Sequence, residues 1–128
     1  EYKSDITTGY WRAPITNFLA FAEQAFLDEV AAKAGKDPIQ FRLDLLKKVK
    51  EKPIGNITYE PDRFEEVIKK VAERANWGKT PKGVHQGFSV YFSHNSYVAQ
   101  IIDIIVEKGK PKIKKVHVVT DCGIVVNF

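Results

Sequence analysis

The sequence predicts an α+β fold in which three helices pack on a three-stranded antiparallel β-meander. Two observations lead to this prediction. Apolar residues recur at three- and four-residue steps before residue 77, and they alternate at two-residue steps after residue 83. The size agrees with one modest globular domain, because the chain has 128 residues, of which 44% are hydrophobic and 28% charged.

The first helix is predicted over residues 17–34. Gly35 supplies its end, since glycine readily adopts the left-handed conformation found just past a helix. Acidic and amide side chains avoid the apolar stripe of this helix, which consists of Phe18, Ala22, Ala25, Phe26 and Val30.

The second helix is predicted over residues 38–50. Asp37 is a side-chain cap, Pro38 occupies the first helical position, and Gln40 is the reciprocal partner of the cap. A concentration of proline and glycine then predicts a loop over residues 51–61.

The third helix is predicted over residues 62–76. Asp62 and Glu65 repeat the capping pattern at its start, and Asn76 with Gly78 closes it.

Three strands are predicted over residues 84–93, 96–107 and 112–120, with a hairpin at Gly109. The middle strand is apolar on both alternating sets, which predicts that it is covered on two faces. The helices are expected to place Phe18, Phe26, Phe41, Phe64 and Ile68 against Phe88, Val90 and Ile102 of the sheet.

Composition excludes several classes of protein. The net charge is +4, and the basic residues are not interleaved with aromatics, so a nucleic-acid partner is not expected. No apolar run approaches the length of a membrane-spanning helix. The lone Cys122 cannot form an internal disulfide. No targeting segment is visible, so a cytoplasmic and a periplasmic location both stay open.

The chain is expected to be a single segment, 1–128, excised from a longer protein. It begins at Glu1 without a methionine and stops at Phe128, two residues after the apolar run Ile124, Val125 and Val126.

Most titratable groups have an ordinary structural interpretation. The histidines at 85, 94 and 117 lack metal-ligand spacing, so no metal site is expected. The pairs Asp28–Glu29 and Glu65–Glu66 are expected on exposed helix surfaces, where they are poor general acids. Cys122 either pairs with a histidine as a nucleophile or, as we favour, is an ordinary buried thiol. Five lysines between residues 108 and 115 either bind polyanions or, as we favour, keep a hairpin edge soluble.

Two short segments are unusual. In GYWRAP, residues 9–14, a glycine, two aromatics and Arg12 precede a helix, so the segment either meets an anionic ligand or forms an aromatic lid on the core. In DCGIVVN, residues 121–127, Asp121 and Asn127 are expected to hold a turn at Gly123.

Five blocks in one order resemble a known family: GYWRAP, the helical stretch NFLAFAEQAFLDEVAAKAGKDPIQFRLDLL, AERANWGK, KGVHQGFSVYFSHNSYVAQ and VVTDCGIVVN. Together they resemble the molybdenum-cofactor (large) subunit of the xanthine dehydrogenase and aldehyde oxidase family, most closely the bacterial isoquinoline 1-oxidoreductase β-subunit branch. Pro14, Ile15 and Thr16 stand where that branch commonly has a glycine, and His94 and Asn95 stand where it has an aromatic and a glycine.

This resemblance implies an oxidoreductase that hydroxylates N-heterocycles or aldehydes with water at a molybdenum–pterin cofactor. It implies as partners the rest of the parent chain and a small subunit carrying iron–sulfur clusters. It also implies that the main chain at Arg12 and Ala13 contacts the cofactor, and that the catalytic base lies outside this chain. The isolated segment is therefore expected to bind no cofactor and to be inactive. The alternative is a small non-catalytic interaction domain that exposes the lysine-rich hairpin.

Overall fold

A computed structural model of the chain describes residues 5–7, 9 and 12–126. Its elements in chain order are α1 (Thr16–Lys33), α2 (Pro38–Glu51), α3 (Pro61–Arg74), β1 (Val84–Ser93), β2 (Ser96–Glu107) and β3 (Lys110–Asp121). The predicted α+β fold, with three helices and a three-stranded antiparallel sheet, is confirmed. Among these residues no helix is both long and apolar enough to cross a bilayer.

The start of α2 follows the predicted cap only in part. Oδ1 of Asp37 accepts hydrogen bonds from the N–H groups of Ile39 and Gln40, each over 2.9 Å. The side chain of Gln40 does not return to the cap, because its amide donates to Asp44 over 2.9 Å instead. The indole N–H of Trp77 donates to the other carboxylate oxygen of Asp37 over 2.8 Å. The cap residue of α2 therefore also binds the segment that follows α3.

Helix α3 begins one residue before its predicted start at residue 62, and the predicted cap at Asp62 is wrong. Glu60 is the cap residue and Pro61 the first helical residue, while Asp62 lies within the first turn. No side chain caps this helix. Proline fixes a helical φ angle and lacks an N–H that would need a partner, which explains why the helix begins there.

The sheet has the order β1-β2-β3, and both strand pairs are antiparallel. Two-residue turns connect the strands, His94–Asn95 and Lys108–Gly109, and all four residues have positive φ angles between 51° and 74°. Such turns match the right-handed twist of paired strands. β3 contains a bulge at Lys114, because Asp103 pairs with Lys115 and Ile104 with Ile113.

The core lies between α2, α3 and one face of the sheet. α3 packs against β2 and β3, α2 packs against α3, and α1 contacts α2 and the edge strand β1. The buried apolar residues of this core are Ile39, Leu46, Val67, Ile68, Val71, Ala75, Phe88, Val90, Tyr97, Ala99, Ile101 and Val119.

The predicted role of α1 in the core is wrong. Phe18 and Phe26 are 61% and 65% exposed, whereas Gln24 and Ala31 are the buried residues of this helix. The physical reason is that α1 meets the rest of the chain through a small and polar face. Ile102 was also expected against the helices, but its strand partners are Gly87 and Val116, which lie on the opposite face from Phe88.

Candidate functional site

The turn before α1 contains the two residues implied to contact a cofactor. Arg12 and Ala13 are both exposed. Ala13 has a φ angle of 51° and Ile15 one of 70°, and this left-handed conformation is strained for a β-branched side chain. The carbonyl of Ala13 accepts hydrogen bonds from the hydroxyl of Thr16 over 3.1 Å and from the N–H of Asn17 over 3.2 Å. These bonds hold the strained turn against the helix.

The same turn leaves donors without partners inside the described part of the chain. There, the N–H groups of Arg12 and Ala13 form no hydrogen bond and the Arg12 guanidinium forms no ion pair. Tyr10 and Trp11 lie outside the described residues, so the alternative of an aromatic lid stays a prediction. Chemically, two main-chain donors beside a cation suit an anionic or polar group.

A second polar arrangement joins α3 to the end of β3. Arg63 donates two hydrogen bonds to Asp121, from Nε over 2.8 Å and from Nη2 over 2.7 Å. Its guanidinium also lies 4.7 Å from the ring centre of Tyr97, whose hydroxyl accepts a hydrogen bond from the N–H of Glu60 over 2.7 Å. Bidentate pairing and ring stacking together fix the geometry of this cation.

These contacts favour the ionised forms of both groups. Hydrogen bonds from Arg63, and then from the Gly123 N–H, lower the pKa of Asp121 to about 2. The hydrogen bond to Asp121 raises the pKa of Arg63. The Gly123 N–H donates to Oδ1 of Asp121 over 3.0 Å, and Gly123 has a φ angle of 78°, as the predicted turn requires. Asn127 lies outside the described residues.

A third polar group lies beside the C-terminal end of α3. Gln86 donates from its amide to the carbonyl of Ala75 over 3.0 Å and to Asp103 over 2.9 Å. The other oxygen of Asp103 lies 3.3 Å from Nε2 of His117. Partial burial raises the pKa of Asp103, but the hydrogen bonds from Gln86 and His117 outweigh it, so the pKa lies below its usual value. These interactions tie the strands to α3.

The fourth arrangement is buried between α1, α2 and β1. Arg42 is 4% exposed and donates to Oε1 and the carbonyl of Gln24 over 3.0 and 3.1 Å. Its guanidinium forms an ion pair with Asp28 over 2.8 Å and lies 5.2 Å from the ring centre of Phe88. Asp28, expected only on a solvated helix surface, therefore compensates a buried charge. The Gln24 amide oxygen also accepts the N–H of Val90 over 3.3 Å.

The other sequence candidates are not brought together. His94 lies in the β1–β2 turn, where its Nδ1 is 2.7 Å from the hydroxyl of Ser93. Within the described residues no group of three or more histidine, cysteine or acidic side chains could hold a metal ion. The expected burial of Cys122 is wrong, because this residue directly follows the end of β3 and is exposed. Lys112 pairs with Glu107 across the lysine-rich hairpin.

The acidic residues of α3 form surface ion pairs. Glu65 contacts both Lys50 and Lys69, and Glu66 contacts Lys70 over 2.7 Å. The Lys50 contact connects α3 to α2, so Glu65 has a structural role that helix spacing alone did not reveal.

Comparison with known proteins gives a partial match. The chain is similar to a membrane-bound aldehyde dehydrogenase (pyrroloquinoline-quinone) from Gluconacetobacter polyoxogenes, with 34% identity over 89 residues. The match covers 63% of this chain and 11% of that enzyme, so the chain spans about a tenth of the length of this relative. No known family profile matches the chain, and no solved structure matches it.

Sequence reasoning missed the two arginine-centred arrangements. Arg42 and Gln24 are 18 residues apart, and Arg63 and Asp121 are 58 residues apart. One signal was present for Arg42, because it interrupts the apolar set of α2 at a position between Ile39 and Leu46. An arginine on a core-facing helix stripe calls for a buried partner.

Proposed function

We propose that this chain is a segment of a larger oxidoreductase that oxidises aldehydes or N-heterocycles at a molybdenum–pterin cofactor. The likeness to a named aldehyde dehydrogenase over 89 residues carries the general class. The five ordered sequence blocks support the finer assignment, because they resemble molybdenum hydroxylases along nearly the whole chain. Aldehydes are the substrate class common to both lines of support.

The cofactor is the point at which the two lines of support differ. The similar enzyme is named for pyrroloquinoline quinone, whereas the sequence blocks resemble proteins with a molybdenum–pterin. The described residues fit a contact to a molybdenum–pterin only at the turn before α1, where the N–H groups of Arg12 and Ala13 are unpaired among those residues. We therefore assign the rest of the cofactor site to other parts of the parent protein.

Under this proposal, the chain helps to position the cofactor. When bound, the cofactor would supply the oxidation chemistry and pass electrons to iron–sulfur clusters on a partner subunit. The main chain at Ala13 would donate a hydrogen bond to the cofactor, and the positive φ angles at Ala13 and Ile15 favour a turn whose shape is maintained for function. Arg12 would add positive charge without a required side-chain contact. This chain supplies no catalytic base under the proposal.

Substitutions in the turn test this role in the natural full-length protein. Ala13→Pro removes the donor and conflicts with a φ angle of 51°, so we expect the rate of aldehyde oxidation to fall at least about tenfold. Ala13→Gly keeps the donor and relaxes the backbone, and Arg12→Ala keeps both main-chain donors, so both variants should retain most activity.

Two further measurements make the result interpretable. Cofactor content should fall with activity in Ala13→Pro, while the thermal unfolding temperature should change little because the turn is exposed. A rate loss in Arg12→Ala larger than that in Ala13→Pro would contradict the main-chain role.

A further inference from the structure

The sheet face turned away from the core, here called the open face, has an unusual composition. Its paired positions carry no Asp, Glu, Lys or Arg in the described part of the chain. Four of its apolar side chains are between 42% and 68% exposed, namely Val106, Ile113, Val116 and Val118. Residues on both alternating sets of β2 are apolar, which is typical of a strand buried on two sides.

The apolar surface continues from the sheet onto α1. A groove of about 430 Å³ separates the helix from the open face, and it is lined by Phe21 and Ala25 on one side and by Tyr91 and Val98 on the other. Phe21 is 80% exposed at the rim of this groove. An apolar partner laid on the open face would therefore meet an aromatic side chain at its border.

The opposite side of the β2–β3 hairpin shows how this sequence treats a surface that faces water. Lys110 pairs with Glu107 and Lys112 with Ile105, so both lysines project from the face opposite Ile113. The paired positions of the hairpin are charged on that side and uncharged on the open face. This contrast indicates that the open face is not a solvated surface in the functional protein.

The size of the open face bears on which kind of surface covers it. Three strands of about ten residues span about 14 by 33 Å, or roughly 460 Å² in projection. Interfaces between domains of one chain begin near about 300 Å² of accessible surface on each side. The accessible surface of a face covered by side chains exceeds its projection, so the open face is large enough for a covalently linked neighbour.

We propose that the open face is an internal interface, covered by an apolar and uncharged surface from elsewhere in the same, longer polypeptide. This inference rests on the proposed function, under which the chain is a segment of a larger oxidoreductase. The similar aldehyde dehydrogenase is about nine times as long as the stretch that it shares with this chain, so such a protein has ample chain to form the cover.

Thiol labelling of the natural protein tests the interface. In a Cys122→Ser background, Val116→Cys places a thiol on the open face and Lys110→Cys places a matched thiol on the charged side of the same strand. We expect a maleimide probe to label position 116 at least about tenfold more slowly than position 110 under native conditions, and both positions equally in denaturant. The protection at position 116 should not change on dilution.

The outcomes separate the two proposals. Equal native labelling at both positions would overturn the interface. Protection that disappears on dilution would assign the cover to a second copy of the chain and would also overturn it. The length of the natural polypeptide, measured by mass, and its aldehyde oxidation report on the proposed function independently of labelling.

Discussion

Arg42 and Gln24 form a buried pair in which the guanidinium Nε donates to the amide oxygen over 3.0 Å. The same oxygen accepts the N–H of Val90, which belongs to the edge strand β1. The Gln24 amide thus accepts from a buried cation, whose charge Asp28 compensates, and also pairs one N–H at the edge of the sheet. This relationship, rather than the aromatic residues of α1, attaches α1 to the rest of the fold.

The first prediction concerns this attachment. Gln24→Leu removes the side-chain acceptor shared by the Arg42 Nε and the Val90 N–H, while Asp28 and the main-chain carbonyl of residue 24 still pair with Arg42. The free energy of unfolding should therefore fall by about 1 to 3 kcal/mol. Urea unfolding of the variant and the natural sequence measures the difference.

A double-mutant cycle provides the control. In Gln24→Leu combined with Arg42→Met, the buried cation is absent, so the combined loss of stability should be smaller than the sum of the two single losses. Strict additivity would show that the amide and the guanidinium are not coupled.

The second prediction concerns pH. The pKa of Asp121 is about 2, below its usual value of 3.8, because Arg63 and the Gly123 N–H favour the carboxylate. A lowered native pKa stabilises the fold above pH 3.8, and this contribution is lost as the pH falls through 2. Asp121→Asn should therefore cost about 1 kcal/mol near pH 6, a small value because the pair is partly solvated.

The difference between Asp121→Asn and the natural sequence should shrink steadily between pH 4 and pH 2, as followed by denaturant unfolding at each pH. Lys112→Ala, at an exposed ion pair on the hairpin, serves as the control and should have a smaller effect at pH 6. A cost for Asp121→Asn that is constant from pH 6 to pH 2 would refute the role of its ionised form.

The third prediction compares two large apolar side chains. Ile68 is 1% exposed at the centre of α3, and Phe26 is 65% exposed on α1. Ile68→Ala should cost about 2 to 5 kcal/mol, and Phe26→Ala less than about 1 kcal/mol. Thermal unfolding tests the order of the two costs, and a larger loss for Phe26→Ala would mean that α1 packs through its aromatic stripe after all.

Much of the fold could be predicted because local signals and tertiary packing agree. The change of apolar period from helical to alternating located the helices and strands, and Gly35 and Gly109 marked two chain reversals that have positive φ angles. The His94–Asn95 turn carried a signal as well, since asparagine favours positive φ angles in short hairpins.

The packing of α1 could not be predicted from its own sequence. Periodicity identifies an apolar stripe but not the surface that it meets, and here the stripe containing Phe18 and Phe26 lies outside the core of this chain. Gln24 is buried because Arg42 and the edge of β1 supply partners, and both partners are distant in sequence.

The sequence predicted where the candidate site lies in the chain but not its backbone conformation. Composition and family resemblance singled out the residues of the turn before α1. The positive φ angles of Ala13 and Ile15 could not be predicted, because a β-branched residue such as isoleucine ordinarily avoids them. Likewise, the pairing of Arg63 with Asp121 depends on how α3 crosses the sheet.

The most direct test is to purify the natural polypeptide that contains this sequence and to measure its cofactor content together with aldehyde oxidation by an artificial electron acceptor. The proposal predicts about one molybdenum per chain, an accompanying pterin, and oxidation that disappears when the cofactor is removed. Oxidation accompanied by pyrroloquinoline quinone without molybdenum would contradict the cofactor assignment. The absence of any aldehyde or N-heterocycle oxidation in the cofactor-loaded protein would contradict the proposed function itself.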